Sequence, residues 1–199
     1  MSNVKPWRVT ASRITYADSW LTVRSDDCET EAGERIAPYH VLQYPDFVNV
    51  VAVGLDGQLV LVRQYRHGIG AILTELPCGI VEEQDDSATA AAERELFEET
   101  GMGALHALEV CRLPVNPANH SNHVTTVAIL CEPRAAPRDM PGETLDVVRV
   151  PFGTFLASVL SRTIALQASH VSSLLLAHHA MRSNSGFARI AAKLVEARA

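Results

Sequence analysis

A chain of 199 residues, 47% hydrophobic and 20% charged, is long enough for one large domain, or for one domain with a small appendage, around a real core. Its formal net charge of -6 at pH 7 argues against nucleic acid as a partner, because phosphate backbones need clustered Lys and Arg. No apolar run approaches the roughly 18–20 residues of a membrane span, and "MSNVKPWRVT" carries no apolar signal segment, so a cytoplasmic protein without a membrane partner is expected.

The elements are taken in chain order. Residues 1–45 hold both tryptophans, Trp7 and Trp20, in alternating segments such as "SRITYAD" and "WLTVRSDD", which predict short strands. "FVNVVAVGLDGQLVLVRQYR" is two Val- and Leu-rich runs split by Asp56-Gly57, a hairpin signal. "LTELPCG" ends in a Pro and Gly loop. "SATAAAERELFEET" predicts a helix, with Asp86 or Ser87 as N-cap and Gly101 just past its end. "ALEVCRLPV", "VTTVAILCEP" and "TLDVVRVPF" predict strands, the last two separated by the Pro-rich loop "PRAAPRDMPGE". "GTFLASVLSR", "HVSSLLLAHHAMR" and "GFARIAAKLVEAR" predict closing helices. Strands on both sides of a central helix, with helices at the end, predict a mixed sheet sandwiched by helices. The cysteines Cys28, Cys78, Cys111 and Cys131 are far apart and form no C-x-x-C pair, so four buried thiols are expected rather than disulfides or a zinc site.

The central helix carries the chemistry. With Glu95 at zero on a helical wheel, Glu99 falls at about +40° and Glu98 at about -60°, so three carboxylates share an arc of roughly 100°. Ala92 and Leu96 lie beside that arc and can pack on a sheet. Like charges at this spacing repel, and a hard divalent cation with oxygen preference would reverse that. A solvated acidic face is the better explanation of the charges alone; the flanking residues decide.

Those residues, "RELFEETG", resemble the second half of the Nudix hydrolase signature, with Arg94, Glu95, Leu96, Glu98, Glu99 and Gly101 all matching and Met102 supplying the apolar residue that follows. "ELPCG" and "VRQYR" resemble the ADP-ribose and nucleoside-diphosphate-sugar branch. The resemblance runs from about Phe47 to Val150, and more loosely over the N-terminal segment. It implies an α+β fold: a Nudix-type α/β/α sandwich around a mixed sheet over residues 46–199, with a small N-terminal β extension over 1–45 that serves dimerisation and base binding. It implies hydrolysis at the pyrophosphate of a nucleoside diphosphate sugar such as ADP-ribose, with Mg²⁺ or Mn²⁺, by a homodimer. Another nucleotide substrate and a module that binds a nucleotide sugar without cleaving it are the alternatives.

Carried over by the same resemblance, Glu95, Glu98 and Glu99 hold the metals, the backbone carbonyl of Cys78 or Gly79 adds a ligand, and Arg94 orients the glutamates. Glu143, with Asp139 after it, is the candidate general base in the loop behind the later strands. Arg66 is preferred to Arg63 as the diphosphate cation, because strand alternation puts them on opposite faces. Trp7 and Trp20 are expected either to stack on the base or to pack the N-terminal sheet. The polar loop "NPANHSN" offers Asn116, Asn119 or His120 to the substrate; His120 and His123 are poor ligands for Mg²⁺, which prefers oxygen. The first half of the signature departs from the pattern. Counting forward from Gly79 lands on Asp85, and counting back from Arg94 lands on Asp86, so the chain has one residue too many and an Asp where Glu is expected. With the helix in register from Asp86 onward, the extra residue falls in "VEEQD" and Asp86 pairs with Arg94 or caps the helix.

Overall fold

The computed structural model describes residues 4–136 and 144–195. The chain divides into two compact units. The N-terminal unit comprises the residues up to Asp46 together with Pro114–His123. Among its described residues, β1 (Arg8–Ala17), β2 (Thr22–Glu29) and β3 (Arg35–Gln43) form an antiparallel sheet in the order β1-β2-β3. The Pro114–His123 segment belongs here because its backbone bonds go to β3: the Leu42 N–H donates to the Asn119 carbonyl at 2.7 Å and the Ser121 N–H to the Leu42 carbonyl at 3.2 Å. All ten residues of β1 are exposed. Trp7 packs edge-on against Tyr39 of this sheet, as one of its two expected readings has it, whereas Trp20 is 75% exposed.

The second unit comprises Phe47–Leu113 and the residues from Val124 onward. Among its described residues, seven strands form one mixed sheet. They are β4 (Phe47–Gly54), β5 (Gln58–Arg66), β6 (Ala71–Glu75), β7 (Cys78–Ile80), β8 (Met102–Pro114), β9 (His123–Pro133) and β10 (Asp146–Pro151). The order is β10-β5-β4-β9-β8, with β6 on β5 and β7 on β4. β4 and β9 run parallel, from Phe47 opposite Val124 to Gly54 opposite Cys131. Gly57, at φ 84°, closes the expected β4–β5 hairpin in a conformation that favours glycine.

The period-two alternation of these strands gives the sheet two apolar faces. Val48, Val50, Ala52 and Val60 meet Ala91, Ala92 and Leu96 of α1 (Ala88–Thr100) on one face. Val51, Val53, Leu59 and Leu61 meet α2 (Phe152–Leu160), α3 (Ala168–Ser183) and a 3-10 helix (Ser185–Lys193) on the other. The fold is therefore the α/β/α sandwich expected. Two local readings are corrected. "GFARIAAKLVEAR" opens as a 3-10 helix, not an α-helix, burying Phe187 and Ile190 at a spacing of three that suits the tighter winding. The cysteines are free as expected, but Cys28 and Cys131 are buried while Cys78 and Cys111 are only half-buried. Among the described residues no helix is long and apolar enough to cross a membrane.

Candidate active site

α1 is fixed at both ends by its own sequence. The Ser87 hydroxyl accepts from the Ala90 N–H at 3.1 Å, so Ser87, not Asp86, is the N-cap. Gly101 ends the helix at φ 70°, its N–H donating to the Phe97 carbonyl at 2.9 Å. Ala91, Ala92 and Leu96 anchor the helix on the sheet, and this rotation sets where Arg94, Glu95, Glu98 and Glu99 point.

The segment before α1 is brought to that face by β7. It pairs with β4 through Phe47–Ile80, Val48–Gly79 and Asn49–Cys78. Gly79 has no alternative at this point. A Cβ there would stand 2.0 Å from the Glu95 carboxyl carbon, so only a bare backbone can pass so close to the carboxylate.

Arg94 is the hub. Its Nε and Nη2 fork onto the two oxygens of Asp85 at 3.0 and 2.9 Å. Nη2 also donates to the Ile80 carbonyl at 3.0 Å, and Nη1 donates to Glu95 Oε1 at 2.8 Å and to Glu98 Oε2 at 3.2 Å. Two of the three predicted carboxylates therefore lie within reach of one nitrogen atom. Glu99 is 5% exposed and is held separately: the Cys78 N–H donates to its Oε2 at 3.3 Å.

The electrostatics follow from these contacts. The Arg94 guanidinium bonded to Asp85 holds that carboxyl below its ordinary range, and Asp85 in turn heads the groups that hold Arg94 charged. Burial pushes Glu95 above the usual glutamate value, against the pull of Arg94. The Cys78 thiol is pushed up to about 12, first by burial and then by Glu99, so in the metal-free protein it stays protonated at neutral pH.

The first half of the signature is corrected here. Asp85, reached by counting forward from Gly79, takes the fork of Arg94; Asp86 is exposed and neither caps the helix nor pairs with Arg94. The extra residue therefore lies after Asp85, not in "VEEQD". A reciprocal pair of bonds explains the choice: Asp85 Oδ2 accepts from the Glu82 N–H at 2.9 Å and the Asp85 N–H donates to the Glu82 carbonyl at 3.0 Å, which closes the loop and aims the carboxylate at the helix.

Among the described residues no three His, Cys, Asp or Glu side chains stand together as a ready-made metal cage. The donor set nevertheless suits a hard divalent cation: all candidate atoms are oxygen, carboxylate oxygens of Glu95 and Glu98 converge on Arg94 Nη1, and at Gly79 only bare backbone approaches the Glu95 carboxylate.

The other expected residues fall in two groups. Arg66 lies beside the loop, its Nε donating to Glu75 Oε2 at 2.6 Å and its Nη2 reaching Cys78 Sγ at 3.5 Å. Arg63 is exposed on the opposite strand face, as alternation requires. Glu75 is 2% exposed and was missed in the sequence, although it stands in the quoted "ELPCG". Trp7, Trp20 and Asn119 belong to the N-terminal unit, where Asn119 Oδ1 accepts from Asn116 Nδ2 at 2.9 Å. His120 packs on Tyr44, and the His123 N–H donates to Asp46 at 2.7 Å. Glu143 and Asp139 lie outside the described residues.

The NUDIX domain family matches residues 44–165, more than half of the chain. The chain belongs to the Nudix family. A second family, the nucleoside diphosphate sugar hydrolase N-terminal domain, matches residues 7–42. Among curated proteins, this Nudix chain is 30% identical over 152 residues to the ADP-sugar pyrophosphatase of Mus musculus, covering 70% of this chain and 65% of that protein, just under two thirds of its length. It is 28% identical over 159 residues to the ADP-ribose pyrophosphatase of Bacillus subtilis (strain 168), covering 77% and 83%. A crystal structure of an ADP compounds hydrolase superposes with a TM-score of 0.79 at 24% identity, over 94% of this chain and 100% of that one, a likeness of fold.

Proposed function

We propose that this protein hydrolyses the pyrophosphate of ADP-ribose or a related nucleoside diphosphate sugar, with Mg²⁺ or Mn²⁺, giving a nucleoside monophosphate and a sugar phosphate. The observation that carries the reading is the clamp at Arg94. A single guanidinium holds Asp85, Glu95 and Glu98 under the Cys78–Gly79 segment, with buried Glu99 tied to the same segment. The names of the mouse and Bacillus relatives, and the N-terminal match over residues 7–42, support the substrate class.

Glu95, Glu98 and Glu99, with the Cys78 carbonyl, would hold the metal. When bound, such a cation neutralises diphosphate charge and lowers the pKa of a coordinated water. The residues of the chain do the positioning on which phosphoryl chemistry depends. Arg94 keeps Glu95 and Glu98 pointed together. Arg66, its Nε committed to Glu75 and its Nη2 to Cys78 Sγ, has Nη1 to offer a phosphate oxygen. Glu143 is assigned as the proton acceptor for the attacking water. Trp7 and Trp20, both exposed, suit stacking on a base, with Asn119 as a polar contact. Residues 1–45 and 46–199 are the dimerisation and catalytic parts of a cytoplasmic homodimer with no nucleic-acid or membrane partner. The exposed Val9, Ile14 and Tyr16 of β1 support that self-association. The non-cleaving alternative drew its force from the irregular first half of the signature. Asp85 already occupies the fork of Arg94, which favours an enzyme.

The test is a screen of nucleotide sugars with Mg²⁺, reading released phosphomonoester, alongside Glu99→Gln. ADP-ribose turnover, reduced about 100-fold by Glu99→Gln, is expected. Unchanged turnover in the variant would remove Glu99 from the metal site. Binding without released phosphomonoester would favour the non-cleaving module.

A further inference from the structure

The face of the sheet opposite α1 carries a polar cluster that the proposed reaction does not use. His170 and Ser173 of α3 are 0% and 1% exposed, and they meet Asn49 of β4, at 0%, and Thr126 of β9, at 1%. Polar groups this deep in a sheet–helix interface cost stability unless bonded. Their bonds have a common destination. The Leu76 N–H donates to His170 Nδ1 at 3.4 Å. Asn49 Nδ2 donates to Ser173 Oγ at 3.1 Å, and that hydroxyl lies 2.7 Å from Thr126 Oγ1. Asn49 is also the ladder partner of Cys78. Neighbouring α3 side chains thus hold the chain on both sides of Cys78, one through Leu76 and the other through the strand that Cys78 pairs with.

Sequence explains why this support is needed. Between the end of β6 at Glu75 and the start of β7 at Cys78 lie only Leu76 and Pro77. Pro77 has no N–H to give, and its carbonyl accepts from the Val50 N–H at 2.9 Å. The Leu76 side chain is buried in the core, its N–H is taken by His170, and the next donor along the chain, the Cys78 N–H, is the one that reaches Glu99. Burial, then the nearby charge of Arg66, pulls the His170 pKa down to about 4. The ring is neutral at physiological pH; accepting from Leu76 at Nδ1 requires the tautomer protonated at Nε2, a buried atom with no hydrogen-bond partner among the described residues.

We infer that His170, seconded by Ser173, is a positioning residue: through Leu76 it sets the Cys78 N–H on the Glu99 carboxylate, from the far side of the sheet. Its consequence for metal binding rests on the proposed role of Glu99. The geometric claim does not.

Two polar variants separate positioning from core filling. Asn at 170 keeps an acceptor near the place of Nδ1, whereas Gln carries its amide out to the place of Nε2. In metal-free full-length protein, amide hydrogen exchange at Cys78 is expected to rise about fivefold to tenfold in His170→Gln relative to the β4 and β9 amides, and to stay near wild type in His170→Asn. Ser173→Ala, which leaves the ring in place, is expected to raise it by about twofold to fivefold. The Mn²⁺ concentration for half-saturation, read by electron paramagnetic resonance, should rise in His170→Gln and recover in His170→Asn, with KM for the nucleotide unchanged. Equal exchange at Cys78 in the Asn and Gln variants, or acceleration spread evenly over β4 and β9, would overturn the inference. So would a Cys78 amide in Ser173→Ala that exchanges as in wild type. If exchange responds but Mn²⁺ affinity does not, the positioning of Cys78 stands and the metal role of Glu99 fails.

Discussion

Arg8 Nη2 stands 2.7 Å from Glu29 Oε2 in the N-terminal sheet, and Arg94 Nη2 stands 2.9 Å from Asp85 Oδ2 beside α1. Distance ranks the first pair higher. Surroundings rank the second far higher. The side chains of the Arg8 pair are 69% and 41% exposed, those of the Arg94 pair 22% and 5%. Water screens the first attraction and competes for each hydrogen bond, whereas the second acts at lower effective dielectric. Arg94 also forks onto Asp85 and bonds Glu95, Glu98 and the Ile80 carbonyl, so several acceptors depend on it at once. The two regions differ in kind. The N-terminal sheet carries exposed pairs such as Arg8–Glu29, whereas the second unit gathers Asp85, Glu95 and Glu98 on one half-buried guanidinium.

The sharpest way to break this contrast is Arg94→Ala. It leaves Asp85, Glu95 and Glu98 facing one another without a cation. A loss of about 3 kcal/mol in urea unfolding is expected, because removing one member of a buried pair strands the rest. Turnover should fall by about 10- to 100-fold as the glutamates lose their orientation. Arg94→Lys keeps the charge but not the fork, so it should recover only part of both. A loss below about 0.5 kcal/mol for the Ala variant would place the clamp with the surface pairs.

Glu95→Gln should move stability and activity in opposite directions. Burial holds the Glu95 carboxyl above its ordinary 4.5, so the folded state favours the neutral acid more than the unfolded chain does. Ionised Glu95 therefore opposes folding above its raised pKa, and the penalty disappears as pH falls from there to 4.5. The metal-free Gln variant should be more stable than wild type by roughly 0.5–1 kcal/mol at pH 7–8, with the difference closing towards pH 4. Its turnover should drop, since the same half-buried carboxylate is assigned to the metal. A destabilised Gln variant at neutral pH would mean that the Arg94 bond outweighs burial.

What could be read in the sequence follows the same division between local and shared causes. The α1 carboxylates, the Gly101 cap and the Asp56-Gly57 turn are set by neighbours along the chain, and each formed as expected. β7 gives no strand signal because three residues carry no period of their own; it exists by pairing with Phe47–Asn49. The choice of Asp85 over Asp86 could not be made by counting, since both are one step from the pattern. It is made by the geometry of a forked bond and of the bond from the Glu82 N–H back to Asp85. His170 gave no signal, for a single histidine in "HVSSLLLAHHAMR" shows nothing of the Leu76 N–H that meets it from 94 residues away. The closing 3-10 helix was misread for a related reason. Gly186 lies so close to His106 that a Cβ would come within 2.1 Å of its Nε2, and that tertiary approach is invisible in an Ala-rich stretch.

The smallest effect belongs to Arg8→Ala, and it bears on the comparison because it tests distance alone. If separation governed, losing a 2.7 Å contact should cost at least as much as losing a 2.9 Å one. If exposure governs, the cost should be about 0.2–1 kcal/mol, because ordering two long side chains offsets most of a screened attraction. Ionic strength separates the two accounts further. Around 1 M salt the Debye length falls to about 3 Å, so the difference between Arg8→Ala and wild type should vanish while that for Arg94→Ala largely persists. Urea unfolding of both variants at low and high salt measures this directly. A salt-insensitive loss at Arg8 comparable to that at Arg94 would show that the Glu29 carboxylate is shielded from water in the folded protein in solution.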